Sequence, residues 1–93
     1  MSELIEVELD DGVVSFDGRV VESFGFGQHE AKRLHVGKVE KVTLQAAGKT
    51  VFLRIKSRRG GNINAGGKAD AARQAELESL VEAVRDAAPG LKE

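Results

Sequence analysis

The 93-residue sequence contains no cysteine, no tryptophan, no tyrosine and only one proline. Without cysteine the chain has neither a disulfide framework nor a thiolate nucleophile or metal ligand. Its uninterrupted hydrophobic stretches are a few residues long, and its first residues carry no basic segment, so we expect no transmembrane segment and no secretory leader. Together these absences predict a cytoplasmic protein.

The composition is that of a globular chain, with 41% hydrophobic and 31% charged residues. A chain of this length has room for one compact core. We therefore predict a single domain over residues 1–93.

The net charge of -1 is the sum of blocks of opposite sign. Residues 1–31 contain eight acids and one base, residues 32–68 contain ten bases and one acid, and residues 69–93 contain six acids and three bases. Such blocks either attract a partner of opposite charge or neutralise one another where strands lie side by side.

Apolar and polar residues alternate over about residues 4–57, which is typical of strands with one buried face. The Asp11-Gly12 and Asp17-Gly18 steps predict tight turns and hence an antiparallel meander. This pattern gives about six strands, and a seventh would lie in residues 28–34 or in the glycine-rich stretch that follows the last strand. We expect that stretch, residues 58–67, to be a flexible loop.

The spacing of apolar residues then changes to that of a helix. One stripe repeats at helical intervals: Leu77, Leu80, Val81, Val84 and Ala88. The pattern predicts one amphipathic helix over about residues 69–88, with Asp70 as its N-cap and Pro89-Gly90 as its stop. The predicted fold class is α+β.

Four segments carry a resemblance to a known superfold: GVVSFDGRVV at 12–21, RLHVGKVEKVTL at 33–44, VFLRI at 51–55 and LESLVEAVRDA at 77–87. With them the sequence resembles a bacterial pleckstrin-homology-like domain. The resemblance implies a small, strongly bent antiparallel sheet, or partly open barrel, of about six to seven strands closed by the C-terminal helix. It also implies binding of lipid headgroups, peptides or copies of the same domain.

One departure from that superfold concerns its ligand. Members that bind phosphoinositides hold the phosphates with bases on the first two strands and the loop between them. Here the first strand carries Glu6 and Glu8, and the loop is Asp10-Asp11-Gly12. Carboxylates at that site would repel a headgroup.

The stretch RRGGNINAGGK, residues 58–68, is the main candidate for binding an anion. It fails as a nucleotide-binding phosphate loop, because Gly67-Lys68 is followed by Ala69 instead of serine or threonine. Glycine amides near a helix N-terminus could still form an anion nest. The basic residues of that candidate site are Arg54, Lys56, Arg58, Arg59 and Lys68. The alternative is a solvated link between the last strand and the helix.

Two phenylalanines are candidates for a hydrophobic interface. If Val51, Leu53 and Ile55 face the core, Phe52 points outward beside bases, where it could contact a partner. A satellite core position is the alternative for Phe52. Phe26, between two glycines, is either a wedge for a partner or a side chain folded back over the core.

The sequence contains no catalytic motif. His29 and His35 are too few ligands for a metal site, and no serine stands in the context of an activated nucleophile. We expect no cofactor, and the acidic helix disfavours nucleic acid. The sequence therefore predicts a noncatalytic binding or scaffolding module for a protein partner or for itself. The alternative is an anion or a phospholipid headgroup bound by the basic 54–68 segment.

Overall fold

The computed structural model of the chain describes residues 4–26, 31–58 and 61–88. Within these residues the chain forms seven strands, one 3₁₀ turn and one α-helix. The elements are β1 (Ile5–Leu9), β2 (Gly12–Phe16), β3 (Val20–Gly25), β4 (Lys32–His35), the 3₁₀ turn (Val36–Lys38), β5 (Val39–Ala47), β6 (Thr50–Ser57), β7 (Ile63–Lys68) and α1 (Ala71–Ala87).

The strands form two antiparallel sheets that are not joined into a closed barrel within the described residues. Sheet A has the order β1-β2-β3-β4 and sheet B the order β5-β6-β7, so hydrogen-bonded neighbours are also neighbours in sequence. The α+β class predicted from the sequence is confirmed at this level.

One core lies between the two sheets and the helix. Its fully buried side chains come from all three layers: Val7, Val14 and Val21 in sheet A, Leu53, Ile55 and Ile63 in sheet B, and Leu77, Leu80 and Val84 in α1. The helix packs against β1 of one sheet and β5 of the other. Because α1 contacts both sheets, it closes the core between them.

Helix α1 begins and ends close to the predicted positions. The Asp70 side chain caps the helix by accepting a hydrogen bond from the Arg73 backbone N–H at 2.8 Å, as the sequence predicted. Near the other end, the Arg85 guanidinium donates to the Val42 carbonyl of β5 at 3.1 Å. The helix is not long and apolar enough to cross a bilayer, and it is the one helix in the described residues.

The glycine-rich stretch differs from its prediction. Much of the expected loop 58–67 is strand β7, the seventh strand, which pairs with β6 in continuous register from Ile63↔Ile55 to Lys68↔Thr50. Asn62 sets the turn before it: its side chain accepts from the Ser57 N–H at 3.0 Å, and its carbonyl accepts from Lys32 Nζ at 3.3 Å. The strand forms because Ile63 and Ala65 are buried on its inner face.

Candidate functional site

The outer face of β6 carries the predicted basic residues in one row. Burial alternates along the strand, so that Val51, Leu53, Ile55 and Ser57 point inward. Phe52, Arg54, Lys56 and the following Arg58 point outward, as the period-two pattern predicted. Phe52 keeps 45% of its surface exposed. We call this row, together with Lys41 on β5, the basic face.

Sheet B, which carries this face, contains a single acidic residue. Lys41 lies directly opposite Lys56, and like charges in that relation repel each other. The one acid within β5, β6 and β7 is Glu40, at the bulge between Val39 and Lys41. Within the described residues no ion pair joins a base of the basic face to a carboxylate. An incoming anionic group would therefore relieve the repulsion.

Arg54 is held in place by its neighbours on both sides. Its Nε donates to Asn64 Oδ1 across the β6–β7 pair at 3.3 Å. Its guanidinium carbon lies 5.8 Å from the centroid of the Phe52 ring, within the range of a cation–π contact. Arg54 and Phe52 therefore form a partly ordered pair before any partner binds.

The two candidate phenylalanines each lie over a glycine. A Cβ atom at Gly66, opposite Phe52, would lie 3.2 Å from Cδ2 of the Phe52 ring. A Cβ at Gly12 would lie 2.8 Å from Cε2 of Phe26. Alanine at Gly12 would therefore clash with the Phe26 ring, whereas alanine at Gly66 would require the exposed Phe52 ring to shift by a few tenths of an ångström.

Phe26 folds back over the core, which is one of the two alternatives from the sequence. It is partly buried against the core, and its N–H donates to the Asp11 carbonyl at 2.7 Å. Its φ angle of 56° lies in the left-handed region, which is uncommon for a bulky residue. The packing of the ring holds the backbone in that conformation.

Phe26 and Phe52 line the same open concavity, of about 380 Å³. Its other lining residues are Asp11, Asn64, Ala65 and Gly66. Sequence reasoning treated the two rings separately, because only the β6–β7 register brings Phe52 to the end of sheet A where Phe26 lies. The result is a recess at one end of the row of bases, lined by two aromatic rings together with an amide and a carboxylate.

Lys68 lies apart from the other described bases of the predicted site. Lys68 pairs with Thr50, six residues along β6 from Lys56, so about 20 Å separates the two lysines at ~3.4 Å per residue. It borders a concavity that also contains carboxylate residues: Glu8, Asp10 and Asp70. Arg59 lies outside the described residues.

The predicted anion nest is not formed by the described glycines. Gly66 and Gly67 are ladder residues of β7, paired with Phe52 and Val51. The nearby helix N-terminus already holds the Asp70 carboxylate, which disfavours a second anion there. An anion would instead find its bases on the basic face.

The histidines have local roles or lie outside the described residues. His35 caps the 3₁₀ turn, its Nδ1 accepting from the Gly37 N–H at 3.0 Å. His29 lies outside the described residues. Among those that are described, no group of three or more His, Asp or Glu side chains could hold a metal ion.

Lys41 and Asn64 belong to this site but were missed by sequence reasoning. Lys41 precedes the buried Val42 on β5 and therefore points outward. The two-residue turn between β5 and β6 predicts that it lies opposite Lys56. Asn64 becomes visible only once Ile63 and Ala65 are recognised as the inner face of a strand.

No protein-family model matches this chain, and no curated protein matches its sequence. Its function is therefore inferred from the geometry of its surface.

Proposed function

We propose that this protein is a small, noncatalytic binding module that takes an acidic protein partner on its basic face. One observation carries the proposal: an exposed aromatic ring stands in a row of bases on a three-stranded sheet, and within the described residues no ion pair to a carboxylate neutralises the row. The face offers cationic and aromatic contacts, which bind a partner without reacting with it.

The composition of the face favours a protein surface as the ligand. Aromatic residues and arginine are enriched at the centres of protein interfaces, where they contribute most of the binding energy. Phe52 and Arg54 already contact each other, so less side-chain entropy is lost on binding. The exposed Phe52 ring accepts an apolar side chain, and Arg54, Lys56 and Arg58 accept carboxylates.

We also propose that the domain is pleckstrin-homology-like and acts in the cytoplasm. A four-stranded and a three-stranded antiparallel sheet followed by a C-terminal helix support the first part, although that order of elements is not specific to this superfold.

An anionic phospholipid headgroup is the second candidate ligand. The directly opposed Lys41 and Lys56 favour it, because a phosphate between them would remove the like-charge repulsion. Arg54 and Arg58 lie on the same row and would add charge-assisted hydrogen bonds. This candidate uses the charges of the face but leaves the aromatic recess without a role.

An amide NMR titration distinguishes the two ligands. The probes are an extended peptide with one leucine followed by glutamates at every second position, and an inositol polyphosphate. We expect the peptide to shift the amides of Phe52, Arg54 and Lys56 saturably. If only the inositol polyphosphate shifts them, the headgroup is the ligand. If neither probe shifts them, the proposal is wrong.

A pair of charge reversals provides the control for this titration. Arg54→Glu with Lys56→Glu should abolish the peptide shifts. Arg19→Glu with Lys49→Glu changes the net charge equally but at exposed sites between strands, off the basic face, and should leave the shifts in place. Loss of binding in both variants would point to net charge alone.

A further inference from the structure

The outer face of β1 carries a row that is complementary to the basic face. Leu4, Glu6 and Glu8 are exposed at every second position, while Val7 and Leu9 are buried on the other side of the strand. We call these three residues the acidic row. We propose that the partner on the basic face is a second copy of this chain, docked through its acidic row; this inference rests on the proposed function.

The acids of this row are available for an intermolecular contact. Glu22, on the same face of sheet A, is already paired with Arg33. No ion pair to Glu6 or Glu8 is present within the described residues. Within the described residues, the two carboxylates of the acidic row and the bases of the basic face form no ion pairs, although Glu8 borders the concavity that contains Lys68.

The two rows match in order and spacing. Side chains on one face of a strand recur every second residue, about 6.8 Å apart, on both β1 and β6. Aligned in the same direction, the rows place Leu4 at Phe52, Glu6 at Arg54 and Glu8 at Lys56. The opposite direction places an acid at Phe52 and leucine at Lys56. The order of the residues thus selects one orientation.

The apolar ends of the rows also complement each other. Leu4 is 62% exposed and Phe52 is 45% exposed, and both are among the large exposed hydrophobic side chains of the described residues. Beside Phe52 lies the recess that it shares with Phe26. Leu4 of a second copy would pack against these two rings, and burial of Leu4 and Phe52 would add an apolar contact to the charge pairs.

The contact is heterologous, because the acidic row lies on sheet A and the basic face on sheet B. One copy can therefore offer its acidic row to one neighbour and its basic face to another, which builds a ring or an open chain of copies. The five residues of β1 span only about 17 Å, so each contact is small and the association depends on concentration. Salt at 1 M should weaken it, because the screening length falls to about 3 Å.

Charge exchange between the two faces tests the proposal. Sedimentation velocity at low salt should show that the average mass of the wild-type chain rises with concentration. Glu6→Lys with Glu8→Lys, or Arg54→Glu with Lys56→Glu, should raise the concentration needed for association by at least about tenfold. An equimolar mixture of these two double variants should associate again, because each provides the complement of the other.

Two further variants test whether misfolding or a change in net charge explains the result. The quadruple variant with both faces reversed should self-associate like the wild type. Glu76→Lys with Asp86→Lys, on exposed positions of α1, should leave association unchanged. Wild-type protein that stays monomeric at every concentration would overturn this inference, as would a mixture that fails to associate. The peptide titration on the basic face decides the proposed function independently of either result.

Discussion

The most informative prediction about the fold concerns Ile63, because it decides whether the glycine-rich stretch is a strand. Ile63 has no exposed surface and pairs with Ile55 in the register of β6 and β7. The change Ile63→Ala removes three buried carbon atoms, which at about 0.8 kcal/mol per methylene is a transfer loss near 2.4 kcal/mol. The cavity left behind brings the expected loss of unfolding free energy to roughly 2–5 kcal/mol.

Urea denaturation followed by circular dichroism measures this loss as a fall in the midpoint at constant slope. Asn64→Ala is the matched control. Its side chain is exposed on the same strand, so the expected loss is below about 0.5 kcal/mol apart from its bond to Arg54. Equal midpoints for the two variants would refute the assignment of residues 63–68 to a packed strand.

Two other predictions follow from the turns of sheet A. Gly12→Ala should lower the unfolding free energy measured by urea denaturation by roughly 1–3 kcal/mol, because the new Cβ would lie 2.3 Å from the Phe24 carbonyl oxygen and against the Phe26 ring. The control is Gly37→Ala, whose new Cβ meets only an exposed side chain and should leave the unfolding free energy near that of the wild type. The Asp17 side chain accepts hydrogen bonds from the backbone N–H groups of Val20 and Arg19, and these lower its pKa from the ordinary 3.8. The charged form of Asp17 therefore stabilises the fold above that pH. The difference in unfolding free energy between wild type and Asp17→Asn should therefore be largest at neutral pH and should disappear as the pH falls through the lowered pKa. A difference that does not change with pH would contradict this.

The periodic elements could be predicted from the sequence because their apolar residues show one buried face. The stripe from Leu77 to Ala88 repeats at helical spacing, and all five of its residues are buried. Val51, Leu53 and Ile55 alternate in the same way on β6 and are also buried. In both cases the pattern is long enough for burial to dominate over local preferences.

The sequence offered the glycine-rich stretch as one of two places for the seventh strand but could not select it, because only Ile63 and Ala65 mark the inner face of β7. Glycine and asparagine have low strand propensity, so local preference favours a loop. Pairing with β6 overrides that preference. The Phe52 ring packs over Gly66, in the space beside the position of a side chain, and this contact offsets the weakening of the strand by glycine.

The candidate site was predictable along β6 and at Lys41, but not where it depends on β7 or on Phe26. The outward direction of Phe52, Arg54 and Lys56 follows from alternation alone, and the position of Lys41 opposite Lys56 follows from the two-residue turn between β5 and β6. The approach of Phe26 to the recess beside Phe52 depends on a left-handed residue at Phe26. The separation of Lys68 from Lys56 likewise follows only once β7 is paired with β6.

The sequential order of strands within each sheet has a consequence for how the chain folds during synthesis. Each sheet is built from hairpins between adjacent segments, whose ends meet at a small loop-closure cost, so both sheets can form early. Helix α1 leaves the ribosome after them and contacts β1 and β5, one strand from each. Until α1 docks, the apolar faces of β1 and β5 that it contacts remain exposed to solvent, and these include Val7 and Val42, which are buried in the folded domain. We expect the nascent chain to be most prone to aggregation, and to need a chaperone most, in the interval between completion of β7 and release of the helix.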